Sequence, residues 1–487
     1  MLTLTLILLP LVAGLILFGL RGNAIRQVAL VAALAELALA LYAVSVFRPD
    51  ASSQFALSYP WIGSLGINFS IGIDGVSVLL VVLSTALVPL IVLSTFNHSY
   101  RNPSAFYALI LAMQSALVGV FTAKDAFLFY LFFEAALIPI YFIAAIWGGE
   151  NRVRVTFKFF IYTLFGSLFM LLGLVYLYLQ TPLDPQTFAH SADLTAFYAL
   201  NLSAEQQGYL FWALFIGFAI KMPVFPFHTW QPDTYVESPT PATMLLAGIM
   251  LKMGTYGLIR LVLPIVPLGL DRWGTTALVL SIIGIVYGSI IAIQQRDMKR
   301  LVAYSSFAHV GLMSAGILSQ TLDGVQGSLI QMLTHGLNVV GLFFIVDIIA
   351  SRTRSRELSQ LGGITQNTPN LTVYFIILML GSVALPLTNG FVGEFLLLRG
   401  VYEYNTWLGA VAGLTIILGA VYMLRMVQKS MFGVRTPLTE HVTDLNLSEK
   451  LVLIPLAVLV FAIGLSPNSF LKLTEPAVAA LLQSMVR

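Results

Sequence analysis

Apolar residues in this chain come in runs of about twenty, separated by short polar connections. A run of that length is what an α-helix needs to cross a bilayer. The runs lie near residues 2–20, 28–47, 74–96, 104–122, 125–147, 157–180, 209–228, 240–263, 273–293, 300–319, 325–350, 371–398, 405–432 and 449–466. They predict an all-α polytopic membrane protein with about 14 transmembrane helices. Residues 2–20 have no basic stretch ahead of them and are followed by Arg21 and Arg26, which reads as a retained first span and not a cleaved signal peptide. Two connections are longer. Residues 48–73 are aromatic and glycine-rich around Tyr59 and Trp61, and residues 180–208 are polar and acidic with no Lys or Arg.

Two runs are interrupted. The run 209–228 carries Lys221 at membrane depth, with Pro223 and Pro226 directly after it. Proline lacks the N–H that a helix needs and clashes with the preceding turn. Such a break is tolerated in hydrocarbon only where protein or a water-filled cavity covers the loose backbone. A second break follows at Pro386, Asn389 and Gly390, 163 residues from Pro223 to Pro386. The sequence Gly254-Thr-Tyr-Gly-Leu-Ile-Arg260 has a counterpart in Gly419-Ala-Val-Tyr-Met-Leu-Arg425, 165 residues on. An odd number of spans per repeat reverses membrane orientation. The offsets therefore predict two inverted five-helix repeats with broken helices 7 and 12, an arrangement with which many transporters build a midplane ion site. The expected organisation is 1–103 (helices 1–3), 104–263 (first repeat, helices 4–8), 273–432 (second repeat, helices 9–13) and 433–487 (helix 14).

Composition narrows the class. Hydrophobic residues make up 58% and charged residues only 10%, against roughly 25% charged in soluble domains. The net charge of +3 is too small, and its basic residues too scattered, to suggest nucleic-acid binding. There is no cysteine, hence no thiolate metal site, haem-attachment motif or iron–sulfur ligand set. No nucleotide-binding glycine loop is present. Any redox chemistry the protein serves belongs to other chains. Of the 25 Lys and Arg residues, 15 fall in odd-numbered connections. Seven, Arg487 among them, fall in even connections and the C-terminus, and Lys221, Lys252 and Arg425 lie within spans. The positive-inside rule then puts the odd connections in the cytoplasm and both termini on the non-cytoplasmic side.

Glu134, Lys252, His309 and His335 lie near span centres, and Lys221 and Glu394 at the two breaks. Each central charge costs about 2.5–3.5 kcal/mol even on a lenient insertion scale, so most must face one another or water. Glu134 is the natural partner of Lys221. Together they form a switchable pair, in which parting the charges lets the desolvated lysine release a proton, or else a static salt bridge. Lys252 has no carboxylate nearby in sequence and reads as a proton carrier, with snorkelling to an interface the alternative. His309 and His335 suit a relay, with Ser305, Ser306, Gln331, Thr334 and Asn338 available to hold water. The bland alternative is a pair of satisfied core histidines. No carboxylate lies one turn from either, which argues against a metal. Glu394 is an exit carboxylate or a cap on the broken helix. Glu36 is expected to face a neighbouring subunit or a structural partner.

The stretches Phe133-Glu-Ala-Ala-Leu-Ile-Pro139, Lys221-Met-Pro-Val-Phe-Pro-Phe-His228, Leu251-Lys-Met-Gly-Thr-Tyr-Gly257, Asp297-Met-Lys-Arg-Leu-Val-Ala-Tyr-Ser-Ser306, His309-Val-Gly311 and Gly390-Phe-Val-Gly-Glu-Phe395 occur in that order. Together they resemble the antiporter-like subunits of respiratory complex I over essentially the whole chain. Glu394, where other branches usually carry lysine, and the short C-terminus point to the M-type branch. One family motif, Leu-Pro-Asp-Ala-His, departs here to Gln231-Pro-Asp-Thr-Tyr235. The resemblance implies fourteen helices, a Glu134–Lys221 charge pair, Lys252 as central carrier, His309 and His335 as relay and Glu394 as terminal carboxylate. It implies a proton-translocating subunit of an NADH–quinone oxidoreductase in the bacterial inner membrane. It further implies L-type and N-type chains as neighbours, no cofactor in this chain, and NADH, FMN, iron–sulfur clusters and quinone in partner subunits. A subunit of a multi-subunit sodium/proton antiporter, a subunit of a hydrogenase- or ferredoxin-linked membrane complex, and a passive membrane spacer remain open alternatives.

Overall fold

Every unpaired backbone polar group is costly in lipid, so a spanning chain closes its hydrogen bonds within helices. The computed structural model describes residues 1–485 in this way; Arg487, counted above among the loop cations, lies outside the described residues. Among the described residues, 12 helices are long and apolar enough to cross a membrane. The two further expected spans, 209–228 and 371–398, are the broken ones. The first is Ala204–Lys221, a turn, then Gln231–Glu237; the second is Pro369–Ser382, a turn, then Asn389–Tyr404.

The two breaks share a backbone pattern. Met222 N donates to Phe218 O, Val224 N to Ala219 O and Phe227 N to Val224 O. Val383 N donates to Met379 O, Leu385 N to Leu380 O and Thr388 N to Leu385 O. Each bond recurs 161 positions later, so the structural register differs from the 163 residues between the prolines. In this register Pro386 stands where Phe225 does. The positions of Pro223 and Pro226 are taken by Ala384 and Leu387, whose φ angles of 55° and 73° lie in the left-handed region that non-glycine residues seldom occupy.

Several expectations are corrected. The 48–73 connection is not a loop: Gln54–Ile62 pairs antiparallel with Ile67–Ile73, Tyr59 opposite Phe69, around Gly66 at φ 62°. Glycine suits that conformation because it carries no Cβ. Asn68 N donates to Asp125 at 3.0 Å, fastening the hairpin to a helix start. The segment after residue 433 holds two helices, Leu447–Leu465 and the amphipathic Asn468–Met485, where one was expected. Glu36 does not face a neighbouring subunit. It is fully buried within the chain, and neither carboxylate oxygen has a hydrogen-bond partner among the described residues.

The helices sort into a lipid-facing shell and a buried centre. Thr240–Ile265 is wholly buried, and Met298–Leu318 and Leu322–Thr353 nearly so, whereas only about a third of Ala24–Val46 and of Thr406–Met431 is buried. Gly254 lets Thr240–Ile265 approach the end of Ala204–Lys221, because an added Cβ would stand 2.8 Å from both Phe218 O and Met222 Cβ.

Candidate functional site

The buried helix Thr240–Ile265 carries π-helical turns at Leu246–Met250 and Leu258–Val262, one on each side of Lys252. Such turns concentrate at functional sites. In the first turn Leu251 N bonds Leu246 O, five residues back. The Ala247 carbonyl accepts from Lys252 Nζ at 2.5 Å. The same ammonium lies 2.9 Å from His335 Nδ1, on the neighbouring Leu322–Thr353 helix. A charged lysine donates and cannot accept, so with Lys252 as an ammonium His335 Nδ1 is the acceptor there, and its Nε2 has no partner among the described residues.

His335 faces His309 on Met298–Leu318, with ring centres 5.6 Å apart and planes inclined by 56°. His309 Nδ1 in turn stands 3.0 Å from Glu394 Oε1, near enough for an ion pair although not aligned as a hydrogen bond. Lys252, His335, His309 and Glu394 are each 5% exposed or less. Beside the two histidines a cavity of about 10 Å³ is lined by Ser305, Ser306, Gln331 and Asn338, roughly the room that one water needs. Thr334, also expected beside this file, hydrogen-bonds Gln331 Oε1 at 3.1 Å.

Glu394 does not cap the broken helix, because its carboxylate is turned to His309. The break is held instead by residues that the sequence reading did not pair. Asn389 and Asn338 exchange reciprocal amide hydrogen bonds of 3.0 and 3.1 Å. Tyr422 accepts from Ser305 at 3.2 Å. A buried Asn on each of two interrupted or polar spans was the available signal.

Glu134 and Lys221 lie apart from this row. Lys221 closes the Ala204–Lys221 helix and is 2% exposed. Its ammonium sits 4.8 Å from the centre of the Phe133 ring. Glu134, half-buried, lies near Ser167 and interacts with Lys221 electrostatically. No direct ion pair joins the two among the described residues, so the expected salt bridge is open here. The lysine rests on an aromatic face, where a desolvated cation gains about 2 kcal/mol.

No group of three or more His, Cys, Asp and Glu residues that could hold a metal ion occurs among the described residues. What the row offers chemically is proton exchange among a lysine, two imidazoles and a carboxylate.

Residues 123–419 match the family described as NADH:quinone oxidoreductase/Mrp antiporter, TM, and residues 29–120 match NADH-ubiquinone oxidoreductase chain 4, amino terminus. NADH-quinone oxidoreductase subunit M of Rickettsia typhi is 40% identical over 94% of this chain and 92% of its own length. A chain in the structure of respiratory complex I from Thermus thermophilus with bound NADH is similar at TM-score 0.91 and 31% identity, with 100% of each chain covered. A chain of the Mrp complex from Dietzia shares the fold alone, at TM-score 0.83 and 20% identity, over 99% of this chain and 52% of that one.

Proposed function

Since the chain belongs to the subunit M family of NADH–quinone oxidoreductases, the antiporter-like membrane subunits of respiratory complex I, we propose that it moves protons through the row Lys252, His335, His309 and Glu394. Lys221 and Glu134 load that row. The observation that carries this reading is the row from Lys252 Nζ to Glu394 Oε1, with atoms 2.9 and 3.0 Å apart at its outer junctions and the two imidazole ring centres 5.6 Å apart at the middle one. A proton reaching Lys252 passes to His335, crosses to His309, with the small polar cavity beside both rings to take a bridging water, and leaves at Glu394. Redox chemistry in other subunits drives the cycle by shifting the Lys221 ammonium between the Phe133 face and the Glu134 carboxylate.

The same reading takes the chain to cross the bilayer fourteen times as two inverted five-helix repeats, with both termini on the non-cytoplasmic side of a bacterial inner membrane. What supports the repeat is the common backbone pattern of the two breaks. L-type and N-type chains are its proposed neighbours, and flavin, iron–sulfur clusters and quinone are assigned to partner subunits, the chain itself having no cysteine. Replacing Lys221 or Glu134 by Ala in the assembled complex is expected to abolish this subunit's pumping. An unchanged proton-to-electron ratio in those variants would rule the mechanism out. Sodium-dependent transport without NADH would favour the antiporter reading that the Mrp part of the family description brings in.

A further inference from the structure

We propose that Arg425 is an assembly charge, which docks onto a carboxylate carried by a membrane-embedded helix of an adjoining membrane-arm subunit. The inference concerns how the chain is held in its complex and is independent of the proton row.

Arg425 lies on Leu414–Met431, six residues before its end, which is about 9 Å at ~1.5 Å per residue. It is half-buried. The span Thr406–Met431 that holds it is only about a third buried in the chain. Ile417 and Val421, two turns and one turn before it, and Phe432, two turns after it, share its side of the helix. They are 63%, 44% and 45% exposed, so the guanidinium interrupts an outward apolar stripe. Acyl chains can cover that stripe but cannot answer the charge. Arginine stays protonated, and ionisable groups at membrane depth take partners.

The other two cations counted within spans find partners inside the chain. Lys252 has the Ala247 carbonyl and His335, and Lys221 has the Phe133 ring. Arg260, the counterpart of Arg425 in the sequence repeat, donates through one nitrogen to both Asp74 oxygens at 2.6 and 2.7 Å. Asp74 precedes the first proposed repeat, so that arginine is answered from outside its own five helices. Arg425 makes no hydrogen bond, ion pair or ring contact among the described residues. The carboxylates that follow it in the chain are engaged elsewhere or lie outside the span. Asp444 accepts from the backbone amides of Asn370 and Leu371, Glu449 accepts from Arg352 at 2.6 Å, and Glu440 is exposed in the connection beyond the helix. The anion for Arg425 therefore comes from another molecule.

Depth favours a protein carboxylate over a lipid phosphate. Gln428 and Lys429, exposed one turn nearer the helix end, are the side chains placed at headgroup level. Arg425 stands a turn deeper, where a carboxylate on a facing helix meets it as Asp74 meets Arg260.

The test uses the assembled complex in its native membrane. The photoreactive residue p-benzoylphenylalanine is placed at Val421, one turn from the intact arginine. Illumination is expected to join this chain to a helix of a neighbouring subunit, within about one turn of an Asp or Glu. Crosslinks to lipid alone, or to a segment bearing no acid, overturn the proposal. Arg425→Glu then sets like charges against each other, and the complex is expected to release this chain in detergent about tenfold faster, the factor that about 1.4 kcal/mol produces. Replacing the crosslinked acid by Arg in the same complex restores the wild-type rate. A complex that holds together equally well with Arg425→Glu, or an exchange that restores nothing, also overturns the proposal. The crosslink is read on the native arginine, so it decides the matter even where Arg425→Glu fails to assemble. None of these outcomes touches the proposed function, which falls only if Lys252→Met in the intact complex still pumps fully with NADH.

Discussion

Lys252 Nζ lies 2.9 Å from His335 Nδ1, although 83 residues separate them in the chain. Two buried helices bring the pair together, and a π turn supplies the lysine's second contact, the Ala247 carbonyl. Replacing His335 by Ala leaves Lys252 buried but removes its proton acceptor. Transfer at this junction is expected to slow about 100-fold, the scale on which a positioned acid–base group contributes. Fewer protons pumped per electron in the assembled complex checks this; an unchanged ratio refutes the junction.

The cation–π contact of Lys221 with Phe133 makes a separate claim. Phe133→Leu removes the aromatic face and about 1–2 kcal/mol of support for the open position. The ammonium then settles on Glu134. Infrared difference spectra should show a stronger perturbation of the Glu134 carboxylate in Phe133→Leu, absent again once Glu134→Gln is added. Identical spectra with and without the ring would show that Phe133 does not hold the pair apart.

At the second break, Asn338 and Asn389 satisfy each other's amides in a buried place. Asn389→Leu alone orphans the Asn338 amide, and stability is expected to drop by about 1–3 kcal/mol. Replacing both with Leu costs less than the sum of the two single replacements, because no polar group is then stranded. Thermal melts of the four proteins in detergent give the coupling directly. Additive losses would mean that the amide pair does not hold the break.

His98 lies outside the spans and stands 2.9 Å from Asp347. That hydrogen bond raises the imidazole above its ordinary value, against the opposing effect of burial. A group whose folded value is raised adds stability that is fully present below the unfolded value near 6.5 and is lost as pH rises through the folded one. The melting temperature should therefore fall across that window in the wild type, and His98→Gln should flatten the fall. A variant that keeps the full slope would assign it to another group.

How far the fold could be read from the residues depended on which physical signal each part carries. Apolar runs announce spans because lipid demands about twenty residues, and twelve of the expected runs are helices long and apolar enough to cross. Pro223 announced the first break through its missing N–H. The second break was placed correctly by Pro386, yet its register was not, since the positions of Pro223 and Pro226 are held there by Ala384 and Leu387 in the left-handed region, which no residue type announces. The hairpin was obscured because Pro60 and several glycines interrupt its alternation. The six candidate site residues stood out because ionisable groups are scarce at membrane depth. Their grouping did not, because His335 meeting Lys252, and Glu394 meeting His309, are decided by helix packing far along the chain. The open Glu134–Lys221 pair was out of reach for a like reason: the competing attraction is a ring one residue from the carboxylate.

The Glu394–His309–His335–Lys252 row also has a capacity. It holds one acid and three bases, so it is electrically neutral when it carries a single proton. A second would leave a net positive charge in a dry interior, at a cost of about 2.5–3.5 kcal/mol. On the proposed reading the row works as a single-occupancy queue: a proton arriving at the lysine end makes departure at the carboxylate end favourable, and the order of arrival and departure follows from charge neutrality.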